Sequence, residues 1–126
     1  MTRISVSGAL SGFVILAMAV WSVLPASAHH GWEWTTGKNV EMTGVIKQTR
    51  LGNPHGVLEV EVSGAVWTFE VGQPWRNKRA GLKNGDLAPG VSIRVSGEPA
   101  ADKSRRLKVE RLWIGKRRYD LYPDRK

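Results

Sequence analysis

Short runs in which apolar and polar residues alternate occupy most of the chain from residue 40 to residue 114, and they restrict its fold more than any other feature. A period of two places successive side chains on opposite faces of a β-strand. Turn-forming clusters rich in glycine, asparagine and proline separate the runs. The alternation predicts strands near residues 40–51, 58–62, 67–71, 91–96 and 107–114.

Two features between these strands narrow the fold further. The Ser63-Gly64 pair between the second and third runs predicts a hairpin. Pro74 then opens a segment with helical spacing, which predicts a short helix over residues 74–82. Three strands, a helix and two strands is the order of the OB barrel. We therefore predict a mainly β protein, a small OB-like Greek-key barrel of five or six strands with one short helix between strands 3 and 4. Another small barrel or a two-layer β-roll is the alternative.

The last part of the chain departs from regular alternation. Leu112, Trp113 and Ile114 fall out of phase with Leu107 and Val109, which predicts a β-bulge. A short edge strand is expected near Tyr119.

The N-terminus has the organisation of a secretory signal. Arg3 is followed by an apolar stretch and then by Ala26-Ser27-Ala28, a small-residue cleavage site. The apolar stretch is short for a membrane span of about 20 residues. Cleavage after Ala28 predicts a periplasmic protein that is not integral to the membrane, with an uncleaved N-terminal anchor as the alternative.

Residue counts limit what the exported chain can do. The sequence contains no cysteine, so disulfides, thiolate metal ligands and cysteine nucleophiles are excluded. Phosphate-loop, dinucleotide-binding and serine-hydrolase motifs are also absent from the sequence. We assign no catalytic residue and expect a binding protein rather than an enzyme, with an oxidative copper enzyme as a lower-ranked hypothesis.

The three histidines are the candidate metal ligands. After cleavage, the α-amine and the ring of His29 could chelate one ion together, because an α-amine has a pKa near 8 and loses its proton at modest cost. His30 or His55 could add a third nitrogen. A three-nitrogen set suits Cu(II), which prefers tetragonal nitrogen ligands. The arrangement resembles the histidine brace of lytic polysaccharide monooxygenases and of some periplasmic copper carriers. Cu(II) is the one cofactor that the sequence suggests, and it is not required by any motif. The alternative is that the histidines only mark the cleavage junction and bind no metal.

Residues near the histidines are candidate ligand-binding groups. His55 follows Asn53 and Pro54 in the turn between the first two strands, a turn that belongs to the binding rim of an OB barrel. Pro54 restricts Asn53 to extended conformations and gives the turn a defined shape. Trp32 and Trp34 could supply aromatic surface to a ligand. No nucleic-acid partner is expected for an exported protein.

Positive charge is concentrated at the C-terminal end. The formal net charge is +8, and residues 103–126 hold ten Lys or Arg against three acidic residues. Such a zone can meet an anionic surface or an unknown periplasmic protein. The candidate residues of this anionic-partner surface are Arg105, Arg106, Lys108, Lys116, Arg117 and Arg118.

Several motifs together resemble a known family. They are Ala28-His29-His30, Asn53-Pro54-His55-Gly56-Val57, Trp67-Thr68-Phe69-Glu70 with Gly72, and a Val-x-Ile-x-Val-x-Gly run that ends at Gly97. The chain is similar to a family of small exported bacterial domains of unknown function that begin Ala-His-His and carry an Asn-Pro-His turn. The resemblance implies a small periplasmic β-barrel and no established activity. This chain departs from it after the histidines, where Gly31-Trp32 stands in place of a Ser-Phe pair.

These observations predict four segments and two functions. Residues 1–28 are expected to be the signal peptide, 29–39 an irregular lead-in, 40–115 the barrel and 116–126 a basic tail. The favoured function is an exported binding module that takes up Cu(II) through the mature N-terminal histidine. The alternative is a structural or adaptor protein, without metal, that docks anionic partners through its basic C-terminal segment.

Overall fold

Six strands and one helix follow one another in the predicted order in a computed structural model that describes residues 31–125. Helix α1 (Pro74–Arg79) lies between the third and fourth strands. The mainly β fold class is therefore confirmed. The strands are β1 (Val40–Arg50), β2 (Val57–Val62), β3 (Ala65–Glu70), β4 (Ser92–Pro99), β5 (Arg106–Ile114) and β6 (Arg117–Asp120).

A single sheet with strand order β3-β2-β1-β4-β5-β6 closes on itself. Neighbours in this order are antiparallel, and β3 also pairs with β5 in parallel, with Phe69 opposite Leu107 and Glu70 opposite Lys108. That parallel contact joins the two ends of a five-stranded barrel, while β6 extends the sheet from the second half of β5. The predicted OB-like barrel of five or six strands is confirmed, as a closed five-stranded barrel with one additional strand.

The hairpin between β2 and β3 forms because its two turn residues adopt the left-handed backbone conformation. Ser63 has φ of 49° and Gly64 has φ of 79°. Positive φ at both central residues is the type I′ pattern, whose twist matches that of the flanking strands.

Helix α1 is shorter than the predicted span of residues 74–82. Pro74 occupies its first turn as predicted, but the helix ends at Arg79. The cause is Gly81, whose φ of 100° cannot continue a right-handed helix. Leu82 lies beyond this turn and still packs into the core.

The core fills the barrel with the inward-facing side chains of the alternating strands. Burial of this apolar surface is the main favourable contribution to folding in a chain that has no disulfide. Side chains that are almost completely buried include Ile46, Leu58, Val60, Phe69, Ile93, Val95, Leu107, Val109 and Leu112.

A β-bulge divides β5 into two halves that pair with different strands. Ser96 pairs with Arg111 and Gly97 with Val109, so Glu110 is the extra residue. The bulge lies just before the run from Leu112 to Ile114 and explains its change of phase. Its position lets the first half of β5 pair with β3 and the second half pair with β6.

Both terminal segments of residues 31–125 are fastened to the barrel. In the lead-in, the Thr36 amide donates to the Pro99 carbonyl at 3.0 Å, and the Ala101 amide donates to the Trp34 carbonyl at 2.8 Å. At the other end, β6 lies within the segment expected to be a basic tail, so the sheet continues past residue 115. Leu121, just after β6, is fully buried.

Within residues 31–125, no helix is both long enough and apolar enough to cross a bilayer. Residues 1–30, which include the predicted signal sequence, and Lys126 lie outside the described residues.

Candidate functional site

A polar and aromatic cleft of about 650 Å³ opens beside the closure between β3 and β5. Four parts of the chain meet there: the lead-in, the turn between β1 and β2, the region around α1, and the segment after β6. The residues that line it are Gly31, Trp32, Trp34, Pro54, His55, Glu70, Gln73, Arg76, Arg106, Lys108 and Tyr122.

The floor of the cleft is a buried ion pair set by the barrel closure. Glu70 ends β3 and lies opposite Lys108 in the parallel pairing with β5. The Lys108 Nζ donates to Glu70 Oε1 at 2.7 Å, and the side chains are only 5% and 10% exposed. A buried charge requires such a partner, because an isolated charge in the interior is strongly unfavourable.

His55 lies against the same carboxylate. Its Nε2 is 3.6 Å from Glu70 Oε1, and its Nδ1 is 3.4 Å from the Gly56 carbonyl oxygen. The ring therefore presents Nδ1 to a backbone carbonyl and Nε2 to the Glu70 carboxylate. His55 follows an Asn53-Pro54 peptide bond that is cis.

Cations stacked on aromatic rings form the walls of the cleft. The Arg76 guanidinium carbon lies 4.2 Å from the Tyr122 ring centroid and 4.6 Å from that of Trp75. The Arg106 guanidinium carbon lies 4.3 Å from the Trp34 centroid. Contacts at these distances are favourable cation–π interactions.

The roof over the ion pair is also aromatic. The rings of Trp32 and Tyr122 meet edge to face, with centroids 5.0 Å apart. The Lys108 ammonium lies 5.1 Å from the Trp32 centroid and 5.7 Å from the Tyr122 centroid. The Arg125 guanidinium carbon also stacks on Trp32, 3.7 Å from the ring centroid.

The structure brings some of the sequence-predicted residues together and leaves others apart. His55, Trp32 and Trp34 line one cleft, although they are distant in sequence. Asn53 is exposed and is not among the residues that line it. His29 and His30 lie outside the described residues, but Gly31, which follows them directly, is in the cleft.

The predicted basic surface loses one member and retains five exposed ones. Lys108 is only 4% exposed and is paired with Glu70, so it belongs to the cleft floor and not to an outer surface. The alternating pattern of β5 suggested that Lys108 lies on an exposed face. In the structure, the bulge and the barrel closure bury both faces of this part of the strand. Arg118 donates to Asp120 at 2.8 Å, and this contact raises the pKa of the Arg118 guanidinium. The exposed residues are Arg105, Arg106, Lys116, Arg117 and Arg118.

Three charged or aromatic cleft residues were not singled out by sequence reasoning. Glu70 lies in the Trp67-Thr68-Phe69-Glu70 motif, but only the pairing of β3 with β5 shows that it faces a lysine. Arg76 follows Trp75 in the helix, and Tyr122 lies in the segment expected to be a tail. No local sequence signal places either of them at a cleft, because they come together only where the segment after β6 packs against α1.

A complete metal centre is not found within residues 31–125, where no group of three or more His, Cys, Asp or Glu side chains is arranged to hold an ion. Of the proposed ligands, that range contains only His55. The cleft therefore offers one imidazole, one paired carboxylate and a positively charged aromatic wall.

Comparison with known proteins gives a family and no activity. No curated protein matches the chain. A solved structure, the ZRD-deleted mutant of TiaS in complex with agmatine, is similar at a TM-score of 0.45 and 12% identity, over 61% of this chain and 21% of that one. The chain thus spans about a fifth of that protein. The profile of a family of unknown function, DUF6152, matches residues 17–108, which is most of the chain. This protein therefore belongs to the DUF6152 family, whose function is unknown.

Proposed function

We propose that this protein is an exported binding module that takes up Cu(II) between its mature N-terminus and His55. The observation that carries the proposal is the shared cleft of Gly31 and His55. Gly31 follows the two N-terminal histidines directly, so cleavage after Ala28 would leave the α-amine two residues from a residue that lines this cleft.

The chemistry of the ligands supports the metal. The His29 α-amine and ring nitrogen would form one chelate, and the His55 imidazole would add the third nitrogen. The contact between His55 Nδ1 and the Gly56 carbonyl is the kind of interaction that orients a metal-binding imidazole. Copper is favoured over zinc because the chain has no cysteine and because Cu(II) is at the top of the divalent affinity series.

Electrostatics in the cleft opposes a dication. Arg76, Arg106 and Lys108 face a single carboxylate, Glu70, among the residues that line it. Binding must therefore come from the nitrogen donors and not from a field of negative charge. This requirement makes the free α-amine essential and gives the experiment its sharpest control.

The experiment is a Cu(II) titration of the periplasmic protein against a competing chelator, after mass spectrometry has established that the chain starts at His29. We expect one tight site that is lost in His29→Ala or when one glycine precedes His29, and that is weakened about tenfold or more in His55→Ala, the loss of one metal ligand. Electron paramagnetic resonance should show three nitrogen ligands, and His30→Ala tests the alternate ligand.

Two outcomes would contradict the proposal. One is binding that is unchanged by the additional glycine, because the chelate needs a terminal amine. The other is the absence of a one-to-one site in a folded protein that begins at His29. A chain that keeps residues before His29 would show instead that the assumed cleavage is wrong.

A second candidate function rests on a separate observation. Lys116, Arg117 and Arg118 are consecutive exposed cations where β5 turns into β6. Such a cluster of exposed cations suits docking to an anionic partner or membrane surface without a metal. Docking of this kind weakens as salt increases and does not depend on the N-terminus, which separates it from copper binding.

A further inference from the structure

We infer that the cleft also binds a small organic carboxylate, held by Arg76 and Arg106 with its apolar part against the aromatic walls. This inference goes beyond copper uptake, because it requires neither the metal nor the N-terminal histidines. A volume of about 650 Å³ lies within the range of small-molecule sites, about 300–1,000 Å³.

The two guanidinium groups are held in place with donors to spare. Arg76 donates one hydrogen bond, from Nη1 to the Leu121 carbonyl at 3.1 Å, and a guanidinium has five N–H donors. Stacking on a ring covers the face of a guanidinium and leaves its edge, the part that binds a carboxylate. Arg106 stacks on Trp34 in this way.

The charge inventory favours an anion. Lys108 is already neutralised by Glu70. Within residues 31–125, neither Arg76 nor Arg106 forms an ion pair with a carboxylate, whereas Arg94, Arg111, Arg118 and Arg125 each do. Hydrogen bonds from Ser104 lower the pKa of the Asp102 carboxyl, and Arg106 lies close enough to contribute to that lowering, but no carboxylate of residues 31–125 contacts either guanidinium. The edges of both cations are therefore open to a negative group of a ligand.

The aromatic walls select an organic ligand over a bare anion. Trp32, Trp34 and Tyr122 contribute aromatic rings, and Pro54 contributes an apolar side chain. Rings beside convergent polar groups are found in sites that bind small molecules, and here the polar groups are as prominent as the rings. A carboxylate attached to a flat apolar body satisfies both the cations and the rings.

The test uses benzoate, its neutral analogue benzamide, and inorganic phosphate, each titrated into the metal-free exported protein in the presence of a chelator. Binding is followed by the indole N–H signals in ¹H–¹⁵N spectra, with Trp34→Phe to identify the signal of Trp34. We expect benzoate to bind with a dissociation constant on the order of a millimolar, as for other ligands of this size. Benzamide should bind at least about tenfold more weakly, since a hydrogen bond to a charged group is worth that factor. Phosphate keeps the charge but should also bind more weakly, because it has no apolar body to bury against the rings.

Matched variants locate the site. Arg106→Gln and Arg76→Gln should each weaken benzoate about tenfold. Arg94→Gln is the control, because Arg94 stacks on Trp113 at 4.0 Å outside the cleft and is paired with Glu41, and it should leave affinity unchanged. Arg106 is exposed, so its variant keeps the test valid if Arg76→Gln is poorly folded.

Four results would overturn the inference: no saturable benzoate binding, equal binding of benzamide, equal binding of phosphate, or equal losses in Arg94→Gln and Arg106→Gln. Failure of copper uptake leaves this experiment unaffected, because no metal is present in it.

Discussion

Glu70 and Lys108 show how a single residue contact supports the cleft. Their charges are removed from water, and the His55 ring and two aromatic rings enclose them. Loss of one partner from a buried pair leaves an uncompensated charge, which is more harmful than loss of both partners.

We predict that Glu70→Gln lowers the free energy of unfolding by about 3 kcal/mol. The double variant Glu70→Gln with Lys108→Met should recover part of that loss, which urea denaturation would reveal as non-additivity. Glu61→Gln is the control, because its pair with Lys47 is about half exposed, with side chains 48% and 53% accessible, and should change stability by less than about 1 kcal/mol. Equal effects at the two sites would show that the buried pair has no special role.

At the scale of the elements, β4 and β5 depend on a close backbone approach at Gly97. A Cβ atom at this position would lie 2.2 Å from the Lys108 carbonyl oxygen and 3.0 Å from the Val109 Cα. Gly97 is also the point at which the register shifts around the Glu110 bulge. The final glycine of the Val-x-Ile-x-Val-x-Gly motif therefore has a packing role.

We predict that Gly97→Ala destabilises the protein by about 2–3 kcal/mol, because the contact is with backbone that cannot move aside without breaking the barrel. Thermal and urea unfolding measure the loss. Gly52→Ala is the matched control, since no atom of residues 31–125, apart from its chain neighbours, lies within 4 Å of its added Cβ. A neutral Gly97→Ala would mean that the two strands can separate at the bulge without cost.

The elements were predictable from local pattern because inward-facing residues repeat at every second position. Even the type I′ turn at Ser63 was visible as a break in that pattern. The cleft was only partly predictable. His55, Trp32 and Trp34 belong to rare residue types with local signals, whereas Arg76 and Tyr122 reach the cleft through long-range packing that no short stretch of sequence encodes.

Across the whole molecule, Arg125 joins the two terminal segments. Its guanidinium contacts both buried acids of the β4–β5 pair, Glu98 and Glu110, the latter at 3.3 Å. The lead-in uses the same acids, because the Gly37 amide donates to Glu98 at 3.1 Å and the Asn39 amide group donates to Glu110 at 3.0 Å. The lead-in and the last residues are thus held by one cluster.

We predict that Arg125→Ala lowers stability by about 2 kcal/mol, less than for a fully buried pair because the Arg125 side chain is 37% exposed. It should also alter tryptophan fluorescence and increase hydrogen exchange in residues 31–39, because Trp32 loses the cation stacked on it. Arg118→Ala, which removes an exposed pair with Asp120, should do neither. Unchanged exchange in Arg125→Ala would show that the lead-in is held by its backbone hydrogen bonds alone.

Because the Arg125 guanidinium stacks on Trp32, the two ends of the described chain are neighbours. The ends can therefore be joined and the chain opened elsewhere without changing which strands lie side by side. A circular permutant that joins residue 125 to residue 31 through a short linker, and is opened at the Ser63-Gly64 turn, keeps every strand pairing. Such a molecule has its cleft but no terminal amine beside it. The permutant would therefore distinguish carboxylate binding, which needs only the cleft side chains, from Cu(II) binding, which needs the terminal amine, without replacing any cleft side chain.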